Sequence, residues 1–324
     1  MSDSIIRIEA PARLHFGMLD LRGSLGRRFG GIGAGVFNPS LQLEVERAES
    51  IECEGPEADR AAEFARRYLA SQGLRDAVRI RIRRAIPGHA GLGSGTQLAL
   101  AVARGIAELY DLPTDTGMLA AAVGRARRSA IGTWLFDGGG FVVEGGRHES
   151  GDRIAPLLAR LSIPASWRCV IGIPHSTEGV SGDSEVQTFR ELPLPPLREV
   201  EHVAHLLVMS LLPALADGDL RAFGRALTAI QQINGGWFAP VQGGSFASGA
   251  STELISKMLE WGAAGVGQSS WGPAVYGVVE GDDAAAHLAS NARLSLNGSG
   301  TVYVNEFADT GARVSVLDPS TARA

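Results

Sequence analysis

The sequence predicts two consecutive α+β domains, on three observations. Strand-like and helix-like segments fall into two blocks, without the regular strand–helix alternation of a doubly wound sheet. A charged, turn-rich stretch at residues 145–153 separates the blocks, and a new apolar strand opens the second at Cys169 to Ile173. The chain has 324 residues, 45% of them hydrophobic and 20% charged, which is enough for two ordinary cores. The expected division is an N-terminal domain over residues 1–160 and a C-terminal domain over residues 161–324.

The elements follow in order. Residues 11–35 begin as a hydrophobic strand and continue as a glycine-rich, arginine-rich loop or charged hairpin. Leu41, Leu43 and Val45 alternate with Gln42, Glu44 and Glu46, and Val78, Ile80 and Ile82 alternate with Arg79, Arg81 and Arg83. Period two with one polar face means half-buried strands. The three arginines read as a solvated sheet face, with a phosphate-binding stripe as the alternative. Between these strands, Ala61 to Ala70 reads as a helix with Phe64, Tyr68 and Leu69 on one side. After Pro87-Gly88, Leu98, Val102, Ile106 and Leu109 recur at helical spacing, so a glycine loop feeds a helix N-terminus. A second helix is expected over residues 116–130, ending in the basic GRARRSA, and a strand over Phe141 to Glu144.

In the second block, the proline-rich residues 191–197 must be extended. Helical patterns cover residues 199–216, 219–233 and 251–261, with a glycine-rich stretch at 235–249 between the last two. Residues 262–280 read as a glycine loop running into a strand, and a helix near 283–291 and a strand near 301–307 complete the pattern.

Composition narrows the function. Thirty Lys+Arg against thirty-five Asp+Glu give a formal charge of −5, so no basic field draws the chain to nucleic acid or acidic membranes. No apolar run approaches the ~18 residues of a membrane span, and the N-terminus lacks the apolar core of a signal peptide. Cys53 and Cys169 are too few and too far apart for a zinc cluster or disulfide framework, which fits a reducing cytoplasm. Glycine, at 42 residues, is about 13% of the chain against a usual ~7%, and without a Gly-X-Y period it implies turns and close backbone approaches. Lys257 is the only lysine, so bound anions must be held by arginine, backbone N–H groups or a metal.

Three clusters can carry chemistry. Gly91-Leu92-Gly93-Ser94-Gly95-Thr96 combines a flexible backbone with a helix N-terminus, which makes an anion cradle without lysine. The alternative is a tight turn capped by Ser94 or Thr96. Residues 11–35 carry Arg13, His15, Asp20, Arg22, Arg27 and Arg28, a mixture suited to a phosphorylated small molecule or to internal Arg–Asp pairs. Gly265 to Gly272, with Gln268, Ser269, Ser270 and Trp271, is either the far wall of a cleft or a plain turn. Asp137 before three glycines, and the loop His175 to Gly179, are weaker candidates.

Taken together, Pro87-x-x-x-Gly-Leu-Gly-Ser-Gly, the N-terminal APARLHFG and the later GVGQSSWG resemble, in that order, the GHMP kinase superfamily. Within it, RLHFGMLDLRGSLGRRFGGIGAGV, GTWLFDGGGFVVEGG and HSTEGVSGDSE resemble the β-ribofuranosylaminobenzene 5′-phosphate synthase family. The resemblance spans nearly the whole chain. It departs from the kinases at Gly95 and Thr96, where a second Ser is usual, and in lacking any N-terminal lysine. It implies a GHMP-kinase-like α+β fold, with an N-terminal ribosomal-protein-S5-like domain and a C-terminal ferredoxin-like domain. It also implies a cytoplasmic homodimer that condenses phosphoribosyl diphosphate with 4-aminobenzoate, releasing CO2 and diphosphate, in tetrahydromethanopterin biosynthesis. The alternative is an ATP-dependent small-molecule kinase of the same superfamily.

For that chemistry the resemblance implies Mg²⁺, no pyridoxal phosphate, and a diphosphate held by Gly91, Leu92, Gly93, Ser94, Gly95 and Thr96. Asp20 and Arg27 are the expected catalytic pair. Arg13, His15, Gly30, Gly31, Asp137, Gln268, Ser269 and Ser270 are expected to contact substrate. Trp271 or Phe16 would stack on the aromatic ring.

Overall fold

A computed structural model of the chain describes residues 4–75, 77–148, 153–175 and 192–317. Strands β1 (Ile5–Asp20) and β2 (Arg27–Arg47) form a long antiparallel hairpin. Then come β3 (Glu52–Glu54), helix α1 (Ala58–Ser71), β4 (Val78–Arg84), α2 (Ser94–Leu109), α3 (Thr116–Ala122), α4 (Ile131–Gly138), β5 (Phe141–Glu144), β6 (Arg147–His148) and β7 (Leu157–Leu161). The alternation in β2 and β4 makes adjacent strands paired Leu43 to Ile82 and Val45 to Ile80, with those four side chains buried.

Helix α2 lies against β1 and β2, with α1, α3 and α4 packed beside it. The helix–sheet approach is close, since a Cβ on Gly105 would stand 2.5 Å from Val45 Cγ2. On the opposite face, Glu44 takes Arg7 at 2.7 Å and Arg83 at 2.8 Å, while Glu46 takes Arg79 at 3.0 Å and Arg81 at 2.9 Å. Burial pushes the Glu44 carboxyl up, but hydrogen bonds from Arg7 and Arg83 outweigh it and hold the group below its ordinary value. The arginine stripe is therefore an ion-pair ladder on the outer sheet face, as the alternation suggests.

The second sheet has the order β11-β8-β10-β9, all antiparallel: β8 (Trp167–Pro174), β9 (Gly265–Gln268), β10 (Val275–Glu280) and β11 (Gly300–Glu306). Helices α5 (Leu197–Leu206), α6 (Leu212–Asp217), α7 (Leu220–Gln242), α8 (Ala250–Glu260) and α9 (Asp282–Leu296) accompany it. Leu254, Met258, Leu288 and Ala292 from α8 and α9 bury Val170, Val275 and Val279 on one side. Cys169, Ile171, Tyr276 and Val278 join the main core with Phe223, Leu227 and Ile230 of α7. The last described strand, β12 (Arg313–Leu317), returns to pair with β1, giving the first sheet the path β12-β1-β2-β4-β3, with β5 and β6 on β2 and β7 on β5.

Two sequence expectations change, and the helix expected over 199–216 is found with a π turn inside it. The helix expected over 116–130 stops at Ala122, because Gly124 and Ala126 take left-handed conformations, with φ of +69° and +58°. Residues 123–129 form a loop despite their helix-favouring Ala and Arg. The glycine-rich stretch expected from 235 is instead helical as far as Gln242. A Cβ on Gly235 would overlap the Ser245 carbonyl oxygen, so this glycine serves a close approach rather than a turn. Residues 197–217 form one continuous helical run through a π turn at Leu207–Leu211. By length and composition alone that run is long and apolar enough to cross a membrane. Val203, Leu207, Leu211 and Leu215 on it are buried in the main core, while Val208 and Met209 are exposed.

Candidate functional site

The glycine loop and the Gly265–Gly272 segment meet directly. Ser269 Oγ donates to the Gly91 carbonyl at 2.7 Å and Ala274 N to the Ala90 carbonyl at 3.3 Å. A Cβ on Gly91 would overlap Ser269 O, and one on Gly272 would overlap Ala90 O, so both positions require glycine. Arg13 N donates to the Leu92 carbonyl at 2.9 Å, which fixes β1 to the same loop. The cap of α2 is Gly93, with φ of +74° and no side-chain hydrogen bond, rather than Ser94 or Thr96. Its first turn therefore presents backbone N–H groups to whatever lies in front of it. Arg13 packs against Gly93, and Arg60 and Arg125 against Gly95, so three guanidinium groups surround the positive end of the helix dipole.

A cavity of about 750 Å³ opens from this point. Its walls include Arg13, His15, Arg28, Thr96, Arg125, Arg127, Arg128 and Ser270, and no carboxylate is among the described wall residues. Arg125 lies over the Phe64 ring, its guanidinium carbon 4.8 Å from the ring centre. Burial, and then the neighbouring charges of Arg60, Arg67 and Arg128, lower its pKa from 12.5 to about 10. Glu63 opposes this, and Arg60 and Arg67 pair with Glu57 and Glu63, but burial and the neighbouring cations prevail at Arg125.

The arginine loop is fastened from below by Glu144, which is fully buried. Its carboxylate accepts from Gly146 N at 2.8 Å and from Ala130 N at 3.3 Å. Burial raises its pKa to about 7, against hydrogen bonds from Gly146, Ala130 and Ser129 that favour the anion.

A β-bulge between His15 and Gly17 re-aims β1 at the cavity. His15 is 4% exposed, and its Nε2 is buried without a hydrogen-bond partner. Burial, and secondarily the Arg13 charge, lower its pKa to about 3, so the imidazole is neutral. Gly31 makes room for the ring, since a Cβ there would stand 3.3 Å from Nε2.

Behind His15, Met18 and Ser270 lies a crevice of about 40 Å³ between α7 and the β1–β9 region. Phe238 and Trp271 meet edge-on there, 4.6 Å between ring centres. Gln231 Nε2 donates to Phe16 O at 2.8 Å, while Asn234 accepts from Met18 N at 2.5 Å and donates to Met18 O at 3.1 Å. Gln268 accepts from Ala247 N at 2.6 Å and donates to Ser270 O at 2.9 Å. The described crevice walls thus carry amides and aromatic rings, and their only titratable side chain, His15, is neutral.

The structure brings Arg13, His15, Thr96, Gln268, Ser269 and Ser270 to this region. Gly30 supports it from β2, where a Cβ would meet Leu19 at 3.2 Å. Asp20, Arg27 and Asp137 are not on the described walls of either space. Asp20 accepts from the Arg22 and Gly23 N–H groups and so shapes the hairpin turn, and Arg27 donates to the Gly146 carbonyl. Asp137 pairs with Arg160 at 3.0 Å and accepts from Thr116 Oγ1. Phe16 is fully buried among Phe141 and Tyr276, so it is not exposed for stacking. Residues 176–185 of HSTEGVSGDSE lie outside the described residues.

Of the arginines in the residue 11–35 cluster, Arg13 and Arg28 line the cavity and Arg27 does not; sequence reasoning missed Arg60, Arg125, Arg127 and Arg128. The available signal was three arginines within residues 124–132 and no acid among them. Among the described residues, the expected Mg²⁺ finds no protein carboxylate at the cavity to hold it. No group of three or more metal-ligating side chains occurs among the described residues, and no described carboxylate faces the cavity.

This fold and loop geometry define a member of the GHMP kinase superfamily: residues 58–136 match the GHMP kinases N terminal domain and residues 211–301 the GHMP kinases C terminal domain. The solved homoserine kinase of Cytophaga hutchinsonii superposes with a TM-score of 0.70 at 17% identity, covering 97% of this chain and 98% of that one. Mevalonate pyrophosphate decarboxylase of Streptococcus pyogenes does so at 0.68 and 15%, covering 95% and 98%. The particular family is narrower. The chain is 34% identical over 326 residues to the β-ribofuranosylphenol 5′-phosphate synthase of Methanothermobacter thermautotrophicus, covering 94% of this chain and 97% of that protein, and it belongs to that synthase family.

Proposed function

We propose that this enzyme transfers the 5-phosphoribosyl group of phosphoribosyl diphosphate to the carboxyl-bearing ring carbon of a para-substituted benzoate, releasing CO2 and diphosphate. One observation carries the reading: a cavity whose described walls hold five arginines and no carboxylate, with Thr96 of the first turn of α2 among them. The donor carries a diphosphate at one end and a phosphate at the other, so it matches a wall with guanidinium groups on both sides. In the proposal, Arg13, Arg125 and the first turn of α2 take the diphosphate, and Arg28 and Arg127 take the 5-phosphate.

The relatives' names specify a phenol product. We therefore place 4-hydroxybenzoate first as acceptor, with 4-aminobenzoate second and tetrahydromethanopterin biosynthesis as the pathway served. Either para group pushes an electron pair through the ring to the carbon bearing the carboxylate. That carbon bonds to the anomeric carbon as the bond to diphosphate breaks. The electrons of the carbon–carboxylate bond then return to the ring, and CO2 leaves. No net oxidation occurs, and no proton leaves the reacting carbon.

The wall arginines stabilise the departing diphosphate, worth about 2–4 kcal/mol for each well-placed charged contact. Any Mg²⁺ would enter on the diphosphate, since Mg²⁺ is usually held by carboxylates together with substrate phosphates and this wall offers no carboxylate. The kinase alternative needs a group to take the proton of an alcohol. The described cavity wall offers only His15, lowered to about 3 and hence a poor base.

The test supplies phosphoribosyl diphosphate with carboxyl-labelled 4-hydroxybenzoate and 4-aminobenzoate in parallel. Stoichiometric labelled CO2 with either acceptor supports the reading. ATP turnover on an alcohol with no CO2 from either overturns it.

A further inference from the structure

We propose that the crevice behind His15 is the acceptor subsite: it takes the para end of the benzoate ring and admits a hydroxyl or amine by size, with the carboxylated carbon facing the arginine cavity. This rests on the reaction proposed above and assigns the half of the site that the arginines leave open.

Four observations converge on it. The crevice and the arginine cavity share His15, Met18 and Ser270 and so lie side by side. The crevice walls carry no charge among the described residues, which excludes the phosphates and the carboxylate end of the acceptor but suits an aromatic ring. Phe238 and Trp271 already meet edge-on at 4.6 Å and offer ring faces and edges to a third aromatic. Finally, His15 Nε2 is buried with no partner on the wall common to both spaces. Such a nitrogen is normally satisfied by a protein group or by something bound.

Volume sets the selectivity. At ~10–15 Å³ for each water-sized group, a crevice of about 40 Å³ accepts the para substituent and the adjoining ring edge. The rest of the ring lies at the His15–Ser270 junction. Orientation follows, because the carbon that must reach the anomeric carbon is the one left outside. A para substituent one methyl larger takes up room that the ring edge would otherwise occupy.

The experiment compares 4-hydroxybenzoate with 4-methoxybenzoate on the full chain, and the wild type with Ser245→Leu. Ser245 lies on the crevice wall at an exposed position, so leucine there narrows the space without disturbing the core. Expected results are at least 30-fold weaker competition by the methoxy compound, and at least a tenfold rise in KM for 4-hydroxybenzoate in Ser245→Leu. Diphosphate affinity should stay within twofold, which shows that the variant is folded and the cavity intact. Equal competition by the methoxy compound, or an unchanged KM, overturns the assignment.

If the wild type releases no CO2, the proposed reaction has failed, yet the crevice is still decided. Calorimetric titration of 4-hydroxybenzoate with diphosphate present must show binding that Ser245→Leu weakens at least tenfold, and absence of that binding overturns the assignment.

Discussion

Replacing Arg125 by methionine should stabilise the ligand-free protein while weakening its hold on diphosphate. The folded environment lowers the Arg125 pKa from 12.5 to about 10, through burial and then Arg60, Arg67 and Arg128. Charge on this side chain is therefore disfavoured by folding. At ~1.4 kcal/mol per pH unit the penalty is roughly 3 kcal/mol, reduced by solvent screening because the side chain keeps partial exposure. Methionine keeps a stem against Phe64 but forfeits the cation–π contact, worth about 0.5–1 kcal/mol. The net expectation is a gain of about 1–2 kcal/mol in urea unfolding at pH 7.5.

Diphosphate binding should move the other way. Loss of one charged contact, about 2–3 kcal/mol, is roughly a 30- to 150-fold weaker Kd by calorimetry. A ligand-free variant less stable than wild type would refute the claim that these arginines are crowded at a cost. Unchanged diphosphate affinity would refute their assignment to the anion.

Further expectations concern pH, packing and a control. His15, lowered from 6.5 to about 3, contributes stability that is present above pH 6.5 and lost as pH falls. Glu144, raised from 4.5 to about 7, contributes stability that is present below pH 4.5 and lost as pH rises. Between pH 4.5 and 6.5 the two slopes oppose, each up to ~1.4 kcal/mol per pH unit. Relative to wild type in that window, His15→Gln should lose stability with rising pH and Glu144→Gln should gain it. Three parallel denaturation series would contradict both shifts. Gly91→Ala, strained by its φ of +81° and by overlap with Ser269 O, should cost about 2–4 kcal/mol in the same assay. An alanine variant of wild-type stability would mean that the two loops separate without penalty. Arg79→Gln, on the outer ion-pair ladder, should leave kcat/KM within twofold, and a larger loss would bring that face into the site.

The elements that could be read ahead were those whose periodicity is set by burial. Leu41 to Val45 and Val78 to Ile82 declare their strands, and the Leu98–Leu109 stripe behind the glycine loop declares a helix, which the structure buries nearly all round. The arginine wall was hidden for two physical reasons. Residues 123–129 have helix-favouring composition, and only the left-handed conformations at Gly124 and Ala126, which tertiary packing selects, turn them into a loop. In the hairpin, side chains of successive strand residues alternate between faces, so nothing local decides between Arg27 and Arg28. Asp20 shows a further limit. Its carboxylate satisfies two backbone N–H groups of its own turn, and a sequence does not reveal which of a carboxylate's partners are local.

The return of β12 to β1 fixes when the molecule can be completed. Until residues 313–317 arrive, β1 has an open edge from Ile5 to Glu9, with Ile6 and Ile8 in an extended, hydrogen-bond-hungry ribbon. During synthesis that edge stays exposed while the whole second sheet is being made. A nascent or truncated chain lacking β12 is therefore a template for pairing with its own kind. Strand β12 acts as a molecular seal, and proteolytic nicking near Asp309 should convert a well-behaved enzyme into an aggregating one without touching a single arginine of the cavity.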